Sequence, residues 1–332
     1  MRKVLVFLFS FLIGVCLFLW IIEWVGWGEI KKNLFTFSGW EGMVILGITL
    51  TIWLMEIWVF KFIFKSQGYN LSARGLGEIL FASLSITYLF PTTYLGGETF
   101  KVYAIRKKFS LPWKKNLAAA IVEKLLGGSI VLVFLIIGAI SFILVSTLPL
   151  KNFGIITATF IGGLVLILAV FYFKSFKKES IFKWFFKFFG IRNWENHLLK
   201  DTEEEIFHFF DFRKKTMWYG LGLLFLKHFL IFIRCWVLIF FLKGEVNILI
   251  PLSITFFFQV AYLFPFPARI GSSEAAQAFG FSSLGLGAAT GITFSFILRG
   301  AEILFSLLGF IFALKLGTRF LLGDVGDREK IQ

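Results

Sequence analysis

The side chains of this chain that could do chemistry are ionisable groups set inside apolar sequence: Glu56, Glu98, Lys101, Glu123, Lys124, Lys227, Arg234, Arg269, Glu274, Arg299 and Glu302. An ionised side chain at bilayer depth costs at least about 2.5–3.5 kcal/mol, so each needs a counter-charge or water. About half of the set is expected to pair internally, because a buried charge demands a partner. Glu56 can meet Lys227 or Arg234, Glu123 can meet neighbours of Lys124 across a helix interface, and Arg299 and Glu302 lie three apart on one helical face. The rest have the chemistry of a charged-ligand site.

Two of the carboxylates follow backbone breaks of similar make-up. Pro91-Thr-Thr-Tyr-Leu-Gly96-Gly97-Glu98 is the first; Pro265-Phe-Pro267-Ala-Arg269-Ile-Gly271-Ser-Ser-Glu274 is the second. Proline removes an amide donor and clashes with the preceding turn. Each run is therefore expected to end one helix, turn tightly on its glycines and start another, with Ser272 or Ser273 as N-cap of the second. The new N-termini expose amide donors that favour an anion such as phosphate. On this reading Lys101, Lys124, Arg269 and Arg299 hold a phosphate-bearing group, Glu98 and Glu274 orient those cations, and Glu123 belongs to the same set. On the plainer reading Glu98 and Glu274 only complement helix dipoles.

Catalytic signatures are poor. His197, His208 and His228 lack the spacing of a zinc site, and neither a phosphate-binding loop nor a nucleophile elbow occurs. His228 adjoins Lys227 within apolar sequence and is harder to set aside than the two loop histidines. Cys16 and Cys235 have no metal or redox spacing. The expectation is no catalytic residue, no metal and no cofactor.

The elements that must position these groups are membrane helices. The 332 residues are 58% hydrophobic, and their apolar runs are too long for a soluble core. The formal charge of +14 falls between apolar segments, where it sets orientation and meets anionic lipid, so no nucleic-acid partner is expected. Full spans are expected near 4–22, 42–64, 117–147, 154–173, 216–242 and 286–314. Two stretches, 76–100 and 248–283, are expected to form re-entrant hairpins. The fold class is thus all-α: a polytopic membrane protein of about six spans and two re-entrant helical hairpins in an inverted repeat.

Charge supports that topology. Lys65 and Arg74 precede the first hairpin, while Lys101, Arg106, Lys107, Lys108, Lys114 and Lys115 follow its turn without an acid among them, so the segment leaves and returns on the cytoplasmic side. The basic 174–215 loop and the tail face the same way, which places both termini in the cytoplasm of a cell-membrane protein. The connections at 148–153 and 243–247 are short and nearly neutral, so the second hairpin opens outward. An offset of 176 carries Pro91 to Pro267, Glu98 to Glu274 and Glu123 to Arg299. The chain reads as one membrane domain, 1–332, with repeats of about 1–150 and 151–320. In the cytoplasmic loop, Ile181, Trp184, Phe185, Phe188 and Phe189 interleave with Lys183 and Lys187, and Ile206, Phe207, Phe209 and Phe210 follow the acidic triplet Glu203, Glu204 and Glu205. These look like interfacial amphipathic helices.

At the two breaks the chain resembles the membrane domain of the lysylphosphatidylglycerol synthase family, the flippase-like proteins. The first family pattern is met by Pro91, Gly96, Gly97, Glu98 and Lys101, with Lys124 as the base of the next helix. The second is met by Pro265, Pro267, Ile270, Gly271 and Glu274, followed by Arg299, with Ala268 and Arg269 replacing two glycines. The resemblance implies movement of a modified phospholipid between leaflets, or an accessory role in it. The family's aminoacyl-transferring portion is a separate soluble domain, and no such domain follows here before Gln332, so lipid lysylation by this polypeptide is not implied. Three readings stand: a translocase for an anionic phospholipid or lipid-linked carrier; a membrane subunit docking a lipid-modifying enzyme or glycosyltransferase through the 174–215 loop; and a transporter of small anionic solutes.

Overall fold

A computed structural model describes residues 23, 28, 39–89, 93–146, 151–188, 197–210, 215–263 and 270–329. Among them are eleven helices and no strand. In chain order these are α1 (Trp40–Ser66), α2 (Ala73–Leu89), α3 (Thr93–Phe109), α4 (Trp113–Val145), α5 (Lys151–Lys177), α6 (Ile181–Phe188), α7 (His197–Phe209), α8 (Lys215–Lys243), α9 (Leu249–Leu263), α10 (Ser272–Ser283) and α11 (Ala288–Glu329). Helix is the form in which an apolar segment satisfies all its own amides without water. Five of them, α1, α4, α5, α8 and α11, are long and apolar enough to cross a membrane. They cover the expected spans between 42 and 314, and α11 runs well past 314. The expected span at 4–22 lies outside the described residues, as do Pro91, Pro265, Pro267 and Arg269.

The basic segments gather at one end. Glu78 of α2 meets Lys108 of α3 at 2.5 Å and Lys315 of α11 at 3.4 Å, and Lys115 of α4 meets Glu205 of α7 at 2.5 Å. The arms α2 and α3 pack on each other and open toward this basic end; α9 and α10 pack likewise, but α9 leaves from the far end of α8 and α10 returns to the start of α11. At 1.5 Å per residue, the 17 residues of α2 and 15 of α9 give arms of about 25 and 22 Å, short of the roughly 30 Å apolar layer.

Packing repeats across the chain. Helices α1 to α4 begin 175, 176, 179 and 175 residues before α8 to α11 respectively. α2 packs on α11, its counterpart α9 packs on α4, and α1 packs on α8. Glycine permits both crossed contacts. A Cβ on Gly309 of α11 would lie 2.0 Å from the Phe81 carbonyl oxygen of α2, and one on Gly138 of α4 would lie 2.7 Å from the Leu252 carbonyl oxygen of α9. Backbone so close leaves no room for a side chain.

Three expectations need correction. The first turn does not use Gly96 and Gly97, because α3 already runs from Thr93. Gly97 instead lets α2 approach: its carbonyl accepts the Ser83 hydroxyl at 2.7 Å, and a Cβ there would strike Thr87 Oγ1 at 1.9 Å. The N-cap of α10 is Gly271, at φ 83°, rather than Ser272 or Ser273. Only glycine takes that left-handed position without strain, and the Glu274 carboxylate receives the Gly271 N–H at 2.9 Å. The third concerns α7, expected to be an interfacial amphipathic helix, whose apolar face is instead buried within the protein. Ile206, Phe209 and Phe210 are buried, the Phe209 ring sits under Gly220 of α8, and Glu203 caps α6 through the Phe182 N–H at 2.6 Å.

Candidate functional site

The crossed packing leaves a cavity of about 470 Å³ between the two halves, lined from α1, α2, α3, α4, α8, α9 and α11. Its floor and walls are apolar, with Ile52, Trp53, Leu84, Val131 and Phe258 among them, and Ser83 and Thr87 add hydroxyls from the first hairpin. Glu123 lies ten residues into α4, Lys227 twelve into α8, and Glu56 ten before the end of α1. All three are thus about 15–18 Å from the basic end, near the middle of an apolar layer about 30 Å thick.

Six charged side chains form an alternating chain through this cavity. Lys101 meets Glu98 at 2.6 Å, Glu98 meets Lys124 at 3.0 Å, and Lys124 meets Glu123 at 3.2 Å. Glu123 meets Lys227 at 3.8 Å, and Lys227 meets Glu56 at 2.5 Å. The chain joins α3, α4, α8 and α1, and so links both halves. Lys101 also lies 4.4 Å from the centre of the Phe60 ring, which stabilises its charge by cation–π attraction. Exposure is uneven. Lys101 and Glu123 are almost fully covered, whereas 56% of the Lys124 side chain and 35% of Glu98 are exposed.

A second branch lines the same cavity. Arg234 lies 3.7 Å from Glu302 and donates to the Thr49 hydroxyl at 3.2 Å; Tyr262 donates to Glu302 at 2.8 Å. The Nδ1–H of His228 donates to the Leu224 carbonyl at 2.9 Å, which fixes the ring on the cavity wall. Counting both branches, four cations face four carboxylates, so the charged lining is balanced.

The cavity brings together four of the residues expected from sequence, Glu98, Lys101, Glu123 and Lys124. Glu274 and Arg299 do not line it. They form a separate buried cluster in which the Arg299 guanidinium lies 2.6 Å from one Glu274 oxygen and 2.9 Å from the other. Ser295 donates to the same carboxylate at 3.1 Å. Arg299 and Glu302, expected to share a face, each reach a different helix: Arg299 meets Glu274 of α10, and Glu302 meets Arg234 of α8 and Tyr262 of α9. Pairing of Glu56 with Lys227 is as anticipated. Gln259 and Tyr262 line the cavity and were missed, although polar side chains three apart in the apolar second half of α9 were a usable signal.

The family pattern of the lysylphosphatidylglycerol synthase TM region matches residues 7–309. The chain belongs to that family. The match takes in every helix lining the cavity and includes both proline breaks. No curated protein and no solved structure matches the chain.

Proposed function

We propose that this membrane protein is a lipid translocase that passes a phosphate-bearing headgroup between leaflets through the central cavity, while the acyl or isoprenoid chains remain in lipid. One observation carries the reading: a charged, hydratable cavity sits at mid-depth between two halves whose packing is exchanged by an offset of about 176 residues. Duplicated units of opposite orientation give a central site that rocking can expose alternately to each face. The opposed hairpins support that inversion.

The charge pattern suggests how a headgroup is held. Lys124 and Glu98 are the most exposed members of the chain, 3.0 Å apart and of opposite sign. A phosphate entering the cavity takes Lys124 from Glu98, and Glu123 still anchors the lysine from behind at 3.2 Å. Glu98 keeps Lys101 and gains capacity for a positive group on the same headgroup. A lining balanced in charge fits a headgroup carrying phosphate together with a cation better than a bare anion. Charge of both signs lines this one cavity, and no chemical step is invoked.

The docking reading is less well supported, because α7 buries its apolar face within its own chain, on α4, with Phe209 against Gly220 of α8 and Phe210 against Phe171 and Tyr172 of α5. The test is reconstitution into vesicles with headgroup-labelled phospholipids, followed by accessibility of the label from outside. Wild type is expected to accelerate exchange and Lys124→Gln to abolish most of the gain. Failure with every phosphate-bearing lipid, or a Lys124→Gln rate equal to wild type, would refute the proposal. Uptake of free phosphate esters without any lipid requirement would favour the solute reading.

A further inference from the structure

We propose a second lipid site, outside the translocation path: a groove between α1, α2 and α11 at the basic end that binds the phosphate of an anionic glycerophospholipid. The groove, about 440 Å³, shares no lining residue with the central cavity. Trp58, Leu54, Phe81 and Phe312 form its apolar part, and Trp58 and Leu54 are 56% and 44% exposed on a membrane-spanning helix. Its rim is charged. Three cations converge there on a single carboxylate: Glu78 meets Lys108 at 2.5 Å, Lys315 at 3.4 Å and Arg74 at 3.9 Å.

The three are not equivalent. Lys108 and Glu78 are recessed, with 15% and 13% of their side chains exposed, and the short contact between them neutralises both. Arg74 is 91% exposed and Lys315 58%, and each is held by the longer contacts only. The rim therefore presents two outward cations above apolar side chains, at the end of the molecule where the basic loops gather. An acyl chain along Trp58 and Phe312, with its phosphate between Arg74 and Lys315, satisfies both parts at once. A zwitterionic lipid would bring its own ammonium against the same cations, so preference for net negative headgroups follows. The juxtaposition was invisible in sequence, because Arg74 and Lys315 are 241 positions apart.

The test uses the full chain in phosphatidylcholine nanodiscs, with quenching of Trp58 by brominated-chain lipids read as the difference from Trp58→Phe. Each interfacial cation is expected to favour anionic lipid about five-fold, so brominated phosphatidylglycerol should quench at about twenty-five-fold lower mole fraction than brominated phosphatidylcholine. Arg74→Gln with Lys315→Gln should remove most of that preference, Arg74→Lys should keep it, and Lys124→Gln in the central cavity should not alter it. Both rim residues are exposed, so folding is not at stake. Equal quenching by the two lipids, or a preference untouched by the double substitution, would overturn the proposal. Displacement of the lipid by millimolar inorganic phosphate would show a phosphate site without lipid specificity and would equally overturn it.

Discussion

Replacing Lys227 by Met isolates the strongest contact of the central chain. The Lys227 ammonium is 2.5 Å from Glu56 and 3.8 Å from Glu123. At an effective dielectric of about 20 those distances correspond to gross attractions of about 7 and about 4 kcal/mol, so Glu56 is the dominant partner. Only 9% of the Glu56 side chain is exposed, and removing its cation strands a charge that water hardly reaches. Breaking one side of a buried pair typically costs about 3–5 kcal/mol, whereas replacing both sides by neutral groups is often near neutral. Lys227→Met alone should thus destabilise by about 3–5 kcal/mol. Glu56→Gln alone should cost less, about 2–3 kcal/mol, because Lys227 keeps Glu123. The double variant should lie within about 1–2 kcal/mol of wild type. Reversible denaturation of the detergent-solubilised protein, run as a double-mutant cycle, measures the coupling. Single costs that simply add, to within about 0.5 kcal/mol, would mean the two residues do not interact, and the alternating chain would not exist as described.

Other consequences are independent of that pair. Gly309→Ala should destabilise by about 1–3 kcal/mol or more, since its Cβ would press on the Phe81 carbonyl at 2.0 Å, while Gly128→Ala, with nothing within 4 Å, should be close to neutral in the same denaturation assay. Glu274→Gln keeps an acceptor for the Gly271 N–H but removes the negative charge that Arg299 meets at 2.6 Å, and a loss of about 1–3 kcal/mol is expected; an unchanged midpoint would refute the pairing. The hydrogen bond from Lys108 holds the Glu78 carboxyl below its ordinary value of 4.5, helped by the charges of Lys108 and Lys315 and opposed by burial. A lowered folded value contributes stability that is complete above about pH 4.5 and is lost as pH falls through the folded value, so the gap between wild type and Glu78→Gln should narrow on acidification. In intact cells a membrane-impermeant maleimide should label Glu245→Cys but reach Arg74→Cys only after permeabilisation, and the reverse pattern would invert the proposed orientation.

Class and outline were legible in the sequence. Unbroken apolar length dictates helices where no water can satisfy the backbone, so the spans at 42–64, 117–147, 154–173 and 216–242 could be read directly and appear as α1, α4, α5 and α8. The proline-bearing runs were legible as helix interruptions, since proline acts locally on its own turn, and α2 ends at Leu89 with α3 starting at Thr93, as α9 ends at Leu263 with α10 starting at Ser272. Pairing was legible only as a demand. Buried charge requires a partner, but sequence offered Glu56 both Lys227 and Arg234, and offered Glu302 its near neighbour Arg299.

Tertiary packing made the choice. Gly138 and Gly309 bring the helices of opposite halves to backbone contact, and that approach decides which side chains share a cavity. It places Lys227 between Glu56 and Glu123, sends Arg234 to Glu302, and closes Arg299 onto Glu274 outside the cavity lining. These contacts join residues 25 to 171 positions apart, the Lys227 pairs being separated by 104 and 171, and a local periodicity carries no information at such range. The glycines of the first break show the same division: their type signalled a special position, but whether they turn the chain or admit a neighbouring helix depended on where α2 lies. Sequence thus determined which groups had to be neutralised in the membrane, and the packing of two halves determined by whom.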